Sequence, residues 1–317
     1  MNDSLGRAIR YLRLSVTDRC NLRCRYCMPA GGVEKLSHGD ILRFEELEIV
    51  ARAFVALGVT KIRLTGGEPL ARKGIVELAA MIRRIEGLQT LAITTNGTLL
   101  APLAAPLRAS GIDRINVSLD TLDERRFRLI TRGGELRDAL AGIAAALAAG
   151  FDRVRINCVL TGGWNEKDIP LLAEWTGRGV DVRFIELMPE GPASAWAAKR
   201  FLPASRVLEM LPGLEYLGRT EESSPAEYWR IPGAEGKIGL IRALSAKFCV
   251  DCDRARVTPE GRLLWCLHSN AGTDLRAVLR SGGGLREAIL ESVGFKPASH
   301  DLPGGYHADR GPSQIGG

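Results

Sequence analysis

The 317-residue sequence is poor in aromatics, at 6%, and has only four histidines. So few flat side chains leave little from which to build base-stacking platforms, and no tract carries the dense Lys/Arg run of a nucleic-acid arm. The net charge of +6 and pI near 9.0 therefore favour an anionic partner without pointing to nucleic acid. Long apolar runs are missing too. The most apolar stretch, Ala139 to Phe151, is too short to cross a bilayer and is bounded by Asp138 and Asp152. Met1 to Arg7 contains no apolar segment of the kind a secretory leader needs, so a cytoplasmic protein is expected, with no membrane partner. In a reducing compartment, clustered cysteines signal metal or redox chemistry more often than disulfides.

Six of the seven cysteines form two triads, and the first has no fourth Cys or His nearby. Cys20, Cys24 and Cys27 have C-x3-C-x2-C spacing; Cys249, Cys252 and Cys266 have C-x2-C-x13-C spacing. A structural zinc site or a closed iron–sulfur cubane takes four protein ligands. Three thiolates leave one metal position for a non-protein ligand, which suggests chemistry rather than a staple. The seventh cysteine, Cys158, lies mid-strand among apolar residues and reads as core.

Residues 11 to 188 alternate short β-rich runs with helical ones. The pattern predicts strands at Leu12–Val16, Lys61–Thr65, Leu91–Thr95, Arg114–Ser118, Val154–Leu160 and Asp181–Leu187. It predicts helices at Phe44–Leu57, Ile75–Ile85, Leu99–Ser110, Leu136–Ala149 and Ile169–Thr176, with Gly58, Gly87, Gly111, Gly150 and Gly179 as C-caps. Such βα units make a parallel sheet, either an incomplete (β/α) barrel or an open doubly wound sheet, with chemistry at the strands' C-terminal ends. The unusual residues sit at those ends: the first triad, Gly66-Gly67-Glu68-Pro69, Thr94-Thr95-Asn96-Gly97, Ser118-Leu119-Asp120 and Glu186-Leu187-Met188. The division expected is a barrel-forming unit (1–188), a connector with one or two short helices (189–240), and a C-terminal region (241–317). That last region holds the second triad, a hairpin across Thr258-Pro259-Glu260-Gly261, two short helices and a Gly-Gly tail.

The first triad, with Tyr26 just before its third cysteine, resembles the radical S-adenosylmethionine (SAM) superfamily. The resemblance implies a [4Fe–4S] cluster whose open iron is chelated by SAM, and a three-quarter (β/α)6 barrel with a C-terminal iron–sulfur extension closing its open side. Glycines let a backbone approach closely and a carboxylate can hold an ammonium, so Gly67 and Glu68 are expected at the SAM amino group. Asn96, Ser118, Met188 and Tyr26 are further expected SAM contacts.

The second triad narrows the family. Phe248 to Thr258 leading through Gly261 to Cys266-Leu267, together with Leu12 to Cys20, Phe184 to Met188 and Ile315-Gly316-Gly317, resembles the GTP 3′,8-cyclases of molybdenum cofactor synthesis. That resemblance implies a lyase with a second [4Fe–4S] cluster binding the guanine of GTP, and a 5′-deoxyadenosyl radical taking hydrogen from C3′ before C3′ bonds to C8. It places Arg13, Arg254, Ala255 and Arg256 at the nucleotide, Arg63, Thr94 and Arg155 near ribose and triphosphate, and Lys61 and Arg183 among the other GTP contacts. It brings Gly316 and Gly317 back to the active site. It also implies a flavodoxin- or ferredoxin-type electron donor, product transfer to cyclic pyranopterin monophosphate synthase, and a homodimer as candidate assembly. Three positions depart from the pattern: Arg155 replaces a customary lysine, His268 an aromatic, and Asp253 an Asn or Thr. Two rival readings are a radical SAM enzyme that modifies peptides, with an auxiliary cluster, and a zinc-dependent nucleotide- or RNA-binding module.

Overall fold

The computed structural model describes residues 1–219, 224–300 and 308–316. It begins with β1 (Tyr11–Ser15), α1 (Phe44–Ala56), β2 (Lys61–Thr65), α2 (Ile75–Arg83), β3 (Thr90–Thr95), α3 (Ala104–Ala109), β4 (Arg114–Ser118), α4 (Glu124–Thr131), α5 (Leu136–Ala148), β5 (Arg153–Leu160), α6 (Ile169–Ala173) and β6 (Asp181–Glu186). All six expected strands are present, and all five C-cap glycines have positive φ. The expected helix from Leu99 begins five residues late. Pro106 is tolerated only in a first turn, since its ring would clash with the carbonyl four residues back.

One helix, α4, was not expected. Its Arg-rich sequence hides the apolar pair Phe127 and Ile130, and its start is set by Asp123, whose carboxylate accepts the Arg126 N–H at 2.7 Å. It ends at Arg132, the one non-glycine residue with positive φ among the described residues (φ +55°). The guanidinium of Arg132 then donates to the Arg23 and Met28 carbonyls, at 3.1 and 2.8 Å, so the strained turn is tied to the first triad's loop.

After β6 come α7 (Ser194–Ala198), α8 (Ser205–Met210), β7 (Glu215–Gly218), β8 (Glu227–Arg230) and β9 (Ile238–Ile241). The stretch expected to carry only short helices thus also supplies three strands. The chain continues through β10 (Arg254–Val257), β11 (Arg262–Leu264), β12 (Gly272–Asp274), α9 (Leu275–Arg280), α10 (Leu285–Gly294) and α11 (Pro312–Ile315). β10 and β11 are the expected antiparallel hairpin.

The strands form a single sheet in the order β12-β11-β10-β1-β2-β3-β4-β5-β6-β9-β8-β7. β1 to β6 follow one another in parallel without the reversal that defines a doubly wound sheet, so the helices lie on one face and the sheet curls round the other. The sheet does not close. Instead β10 pairs in parallel with β1, and β9 in parallel with β6, extending both edges. The helix-facing positions, such as Leu12, Leu14, Ile62, Leu64, Ile115, Val117, Ile156 and Cys158, are fully buried and form the core. The inner face, one residue out of phase, is polar. That contrast makes the site.

Candidate active site

The first triad occupies the loop after β1. Cys24 and Cys27 share a turn, with the Cys27 N–H donating to the Cys24 carbonyl at 2.9 Å. The unexpected α4 props this loop: Arg23 and Arg25 N–H groups donate to the Thr131 and Ile130 carbonyls at 2.9 and 3.0 Å. From the other side, Gly67 and Glu68 N–H groups donate to Thr17 and Arg19 carbonyls, both at 2.8 Å. A Cβ on Gly66 or Gly67 would run into those same backbones. The glycine pair is therefore needed for close approach to the triad's own loop.

Glu68 lies behind the cavity wall, fully buried. Its carboxylate accepts from Leu70 N–H (3.0 Å), Thr95 Oγ1 (2.7 Å) and Asn96 N–H (2.7 Å), fixing the corner that presents Asn96. Burial pushes its pKa up to about 7 against the pull of those three donors. Asn96 Nδ2 reaches Asn21 Oδ1 at 2.9 Å and Cys20 Sγ at 3.9 Å. Tyr26 donates its hydroxyl to Asp120 Oδ2 at 2.8 Å, and Asp120 Oδ1 accepts the Val159 N–H at 2.8 Å. Gly67, Asn96, Ser118, Met188 and Tyr26 all line one cavity with the three cysteines.

The second triad faces it from the opposite end. Cys252 lies two residues before β10, and Arg254 there is level with Tyr11, at the start of β1. Chemistry expected only at the strands' C-terminal ends thus occupies both mouths. Arg7 ties this end together, its guanidinium donating to the Cys249 and Pro297 carbonyls at 2.8 and 2.9 Å. Burial pushes the Cys252 thiol up, but Arg254, Lys296 and Arg256 outweigh it and bring it below its usual value.

Between the mouths lies a cavity of about 400 Å³, within the range of small-molecule sites. Strand register stacks its wall in levels. Nearest the second triad are Arg254, Tyr11 and Lys61; next come Arg256, Arg13 and Arg63, with Arg114 on β4. The next level holds Ser15 and Thr65, with Thr94, Asn116 and Arg155 across the wall. Closest to the first triad are Ser118, Asn157 and Arg183. The cations crowd one another: burial, Arg13 and Arg254 push Arg256 down to about 9. Arg63 Nε donates to Tyr11 Oη at 2.5 Å, and its Nη1 to Thr94 Oγ1 at 3.2 Å. Arg155 is paired with Asp181 at 3.2 Å, and Arg183 Nε donates to Tyr228 Oη at 2.8 Å, a contribution from β8. Arg254 has Asp253 beside it at 3.8 Å.

The C-terminal segment threads this space. Ser313 lies beside the Cys27 thiol and draws it down, but burial and Cys20 outweigh that and hold the thiol up at about 11. Farther on, the Gly316 carbonyl accepts from Arg13 Nε at 3.1 Å and Arg256 Nη1 at 3.2 Å. Gly316 has φ +70°, and a Cβ there would strike Thr65 Oγ1. Gly317 lies outside the described residues.

Two family models match the chain: the radical SAM superfamily over residues 14–176, and Molybdenum Cofactor Synthesis C over residues 180–302. The GTP 3′,8-cyclase of Peptoclostridium acidaminophilum is 48% identical over 99% of this chain and 98% of its own. That of Geobacter sulfurreducens is 50% identical over 95% and 94%. The chain belongs to the GTP 3′,8-cyclase family.

The fold matches that of Streptococcus suis SuiB, solved bound to S-adenosylmethionine, with a TM-score of 0.66 at 16% identity, over 89% of this chain and 66% of that one. Membership of the GTP 3′,8-cyclase family carries SAM and [4Fe–4S] clusters with it, and the residues fit them. Among the described residues no three His, Cys, Asp or Glu donors converge on one ion. A cubane asks for no such convergence, because each thiolate binds a different iron. The thiols are partly exposed to the cavity, and the Leu22 N–H points at Cys20 Sγ at 3.4 Å.

Of the nucleotide contacts that likeness to GTP 3′,8-cyclases suggested, eight line the cavity. Ala255 does not: it alternates to the other face of β10 and is buried there. Tyr11, Arg114, Asn116, Asn157 and Lys296 line the cavity without having been singled out. Strand alternation was the missed signal, since Tyr11 shares a face with Arg13, Arg114 and Asn116 with Ser118, and Asn157 with Arg155. His268 also lines it, its Nδ1 against the Glu190 carboxylate and its ring 4.8 Å from His300. Among the described residues, no helix is long and apolar enough to cross a membrane.

Proposed function

We propose that the protein converts GTP to (8S)-3′,8-cyclo-7,8-dihydroguanosine 5′-triphosphate, the first step of molybdenum cofactor synthesis. The observation that carries this reading is the placement of two three-cysteine sets at opposite mouths of one cationic cavity. When bound, the first cluster and SAM supply a 5′-deoxyadenosyl radical that takes hydrogen from C3′ of GTP. Cys20, Cys24 and Cys27 would hold that cluster, and the corner of Asn96, Ser118 and Met188 would hold SAM. Glu68 acts one layer back, by fixing Asn96. Cys249, Cys252 and Cys266 would hold the second cluster, towards which the guanine points. Forked, charged groups on Arg13, Arg63 and Arg256 suit phosphate and base oxygens, and Lys61 adds a further positive charge. This orientation sets C3′ towards the first triad. A flavodoxin- or ferredoxin-type donor, a downstream pyranopterin synthase, a second copy of the chain and a cytoplasmic setting complete the reading.

Anaerobic turnover of the reconstituted protein with SAM, dithionite and GTP tests it. The expected products are 5′-deoxyadenosine and a nucleotide of GTP's mass with a C3′–C8 bond. Deoxyadenosine that neither rises with GTP nor accompanies an altered nucleotide would refute the substrate.

A further inference from the structure

On the wall between the Arg13 level and the first triad, Arg155 and Arg183 are engaged by Asp181 and Tyr228, and several of the uncharged polar atoms have no partner. Asn116 is only 4% exposed, Thr65 2% and Ser15 fully buried, yet Asn116 Oδ1, Thr65 Oγ1 and Ser15 Oγ make no hydrogen bond. Asn157 Oδ1, diagonally above Asn116, is likewise unmatched. Buried polar groups in folded proteins are nearly always satisfied, so the exceptions that line the cavity, Thr65, Asn116 and Asn157, mark where a ligand completes them, whereas Ser15 is not part of its lining. The two carboxamide oxygens say which ligand chemistry fits. They can only accept, and an ionised phosphate has no proton to donate, whereas a sugar hydroxyl both donates and accepts. The charge at this level is spent as well, because Arg155 is held by Asp181.

We propose that this level is a ribose subsite, and that Asn116 is a specificity-determining residue that reads the 2′- and 3′-hydroxyls of the nucleotide substrate. The inference rests on the GTP reading above. Asn116 is level with Thr94 and Arg155, one step short of Ser118 at the SAM corner. A nucleotide with its base towards the second triad and its phosphates on the arginines brings its ribose here. Fixing the hydroxyls also fixes which carbon faces the first triad, so Asn116 governs both choice of sugar and regiochemistry.

The same hydroxyl chemistry exists on SAM, and the test separates the two sources. Binding of GTP, 2′-deoxyGTP and SAM would be measured without reductant, on the reconstituted protein and on Asn116→Ala, Asn116→Ser and Thr65→Val. The unsubstituted protein is expected to prefer GTP over 2′-deoxyGTP at least about tenfold. Asn116→Ala should bind both alike with SAM affinity unchanged, Asn116→Ser should recover part of the preference, and Thr65→Val should lose less of it. Under turnover, Asn116→Ala should form deoxyadenosine with less cyclised nucleotide per radical. Asn116→Ala retaining the preference, or losing SAM affinity instead, would overturn the proposal. If Asn116→Ala does not fold, unaltered preference in Asn116→Ser and Thr65→Val together would overturn it equally. No GTP binding by the unsubstituted protein would instead sink the GTP reading itself.

Discussion

The two triads have the same ligand count and opposite surroundings. The first is a contiguous eight-residue loop held by backbone hydrogen bonds, and its thiols are raised. Burial, Cys27 and Asp120 lift Cys24 well above its usual value. The second is assembled from a single 3-10 turn and the end of a β-hairpin, brought together by the pairing of β10 with β1. Arginines and Lys296 crowd it, and Cys252 falls, although burial still lifts Cys266. A site built from local sequence beside a wall whose arginines are engaged by Asp181 and Tyr228 suits a cofactor that is the same in every turnover. A site built from distant strands amid guanidinium groups suits an anionic substrate, whose charge the wall must balance.

The largest expected effect comes from breaking each triad in turn. Cys24→Ala should abolish deoxyadenosine formation altogether. Cys266→Ala should keep the first cluster, retain about half the iron and still cleave SAM, while forming no cyclised nucleotide. Iron content and product analysis on the two variants check this division of labour. If Cys266→Ala still cyclises GTP, the second triad is a staple, and the contrast between the two ends loses its functional meaning.

That contrast also explains what the sequence could reveal. The C-x3-C-x2-C loop is legible because its ligands are neighbours, and the six strands because β-branched runs alternate with helical ones. α4 was invisible because its role is to support the loop from a distance, through carbonyls that carry no side-chain signature. The purpose of Gly66 and Gly67 was legible only as close approach; that the approaching backbone is Thr17 to Arg19 required the fold. Asn116 and Tyr11 were missed because no motif singles them out. Only the register of parallel strands sets them level with the arginines.

The C-terminal segment allows a finer comparison, since it touches both ends. A Cβ on Gly311 would meet the Cys27 carbonyl, and one on Gly316 would meet Thr65 Oγ1. Gly316→Ala should lower kcat/KM for GTP about a hundredfold, because misplacement near reacting groups is costly, while leaving the melting temperature unchanged. Gly311→Ala should instead reduce SAM cleavage, by roughly tenfold. Steady-state kinetics on both, with and without GTP, decides the matter. Equal effects on SAM cleavage would mean that the segment acts as one rigid plug rather than serving the two mouths separately.

The smallest effect is the most direct gauge of the cationic end. Burial pushes the Tyr11 phenol up, but Arg63, Arg13 and Lys61 together outweigh it and bring it down to about 7. Arg63 donates to its oxygen, and Lys61 lies 4.7 Å over its ring. A phenol depressed on folding contributes stability that is complete above its ordinary value near 10 and lost as pH falls towards 7. Stability of the nucleotide-free protein should therefore rise across that window, and Tyr11→Phe should flatten the rise. Tyrosinate absorbance should show one phenol titrating near neutrality, absent in Tyr11→Phe. GTP, by adding negative charge beside the same cations, should drive that titration back towards alkaline pH. SAM alone, bound at the other mouth, should leave it nearly where it was. A phenol that moves with SAM as much as with GTP would mean that the two ends share one electrostatic environment, and that distance along the strands does not separate them.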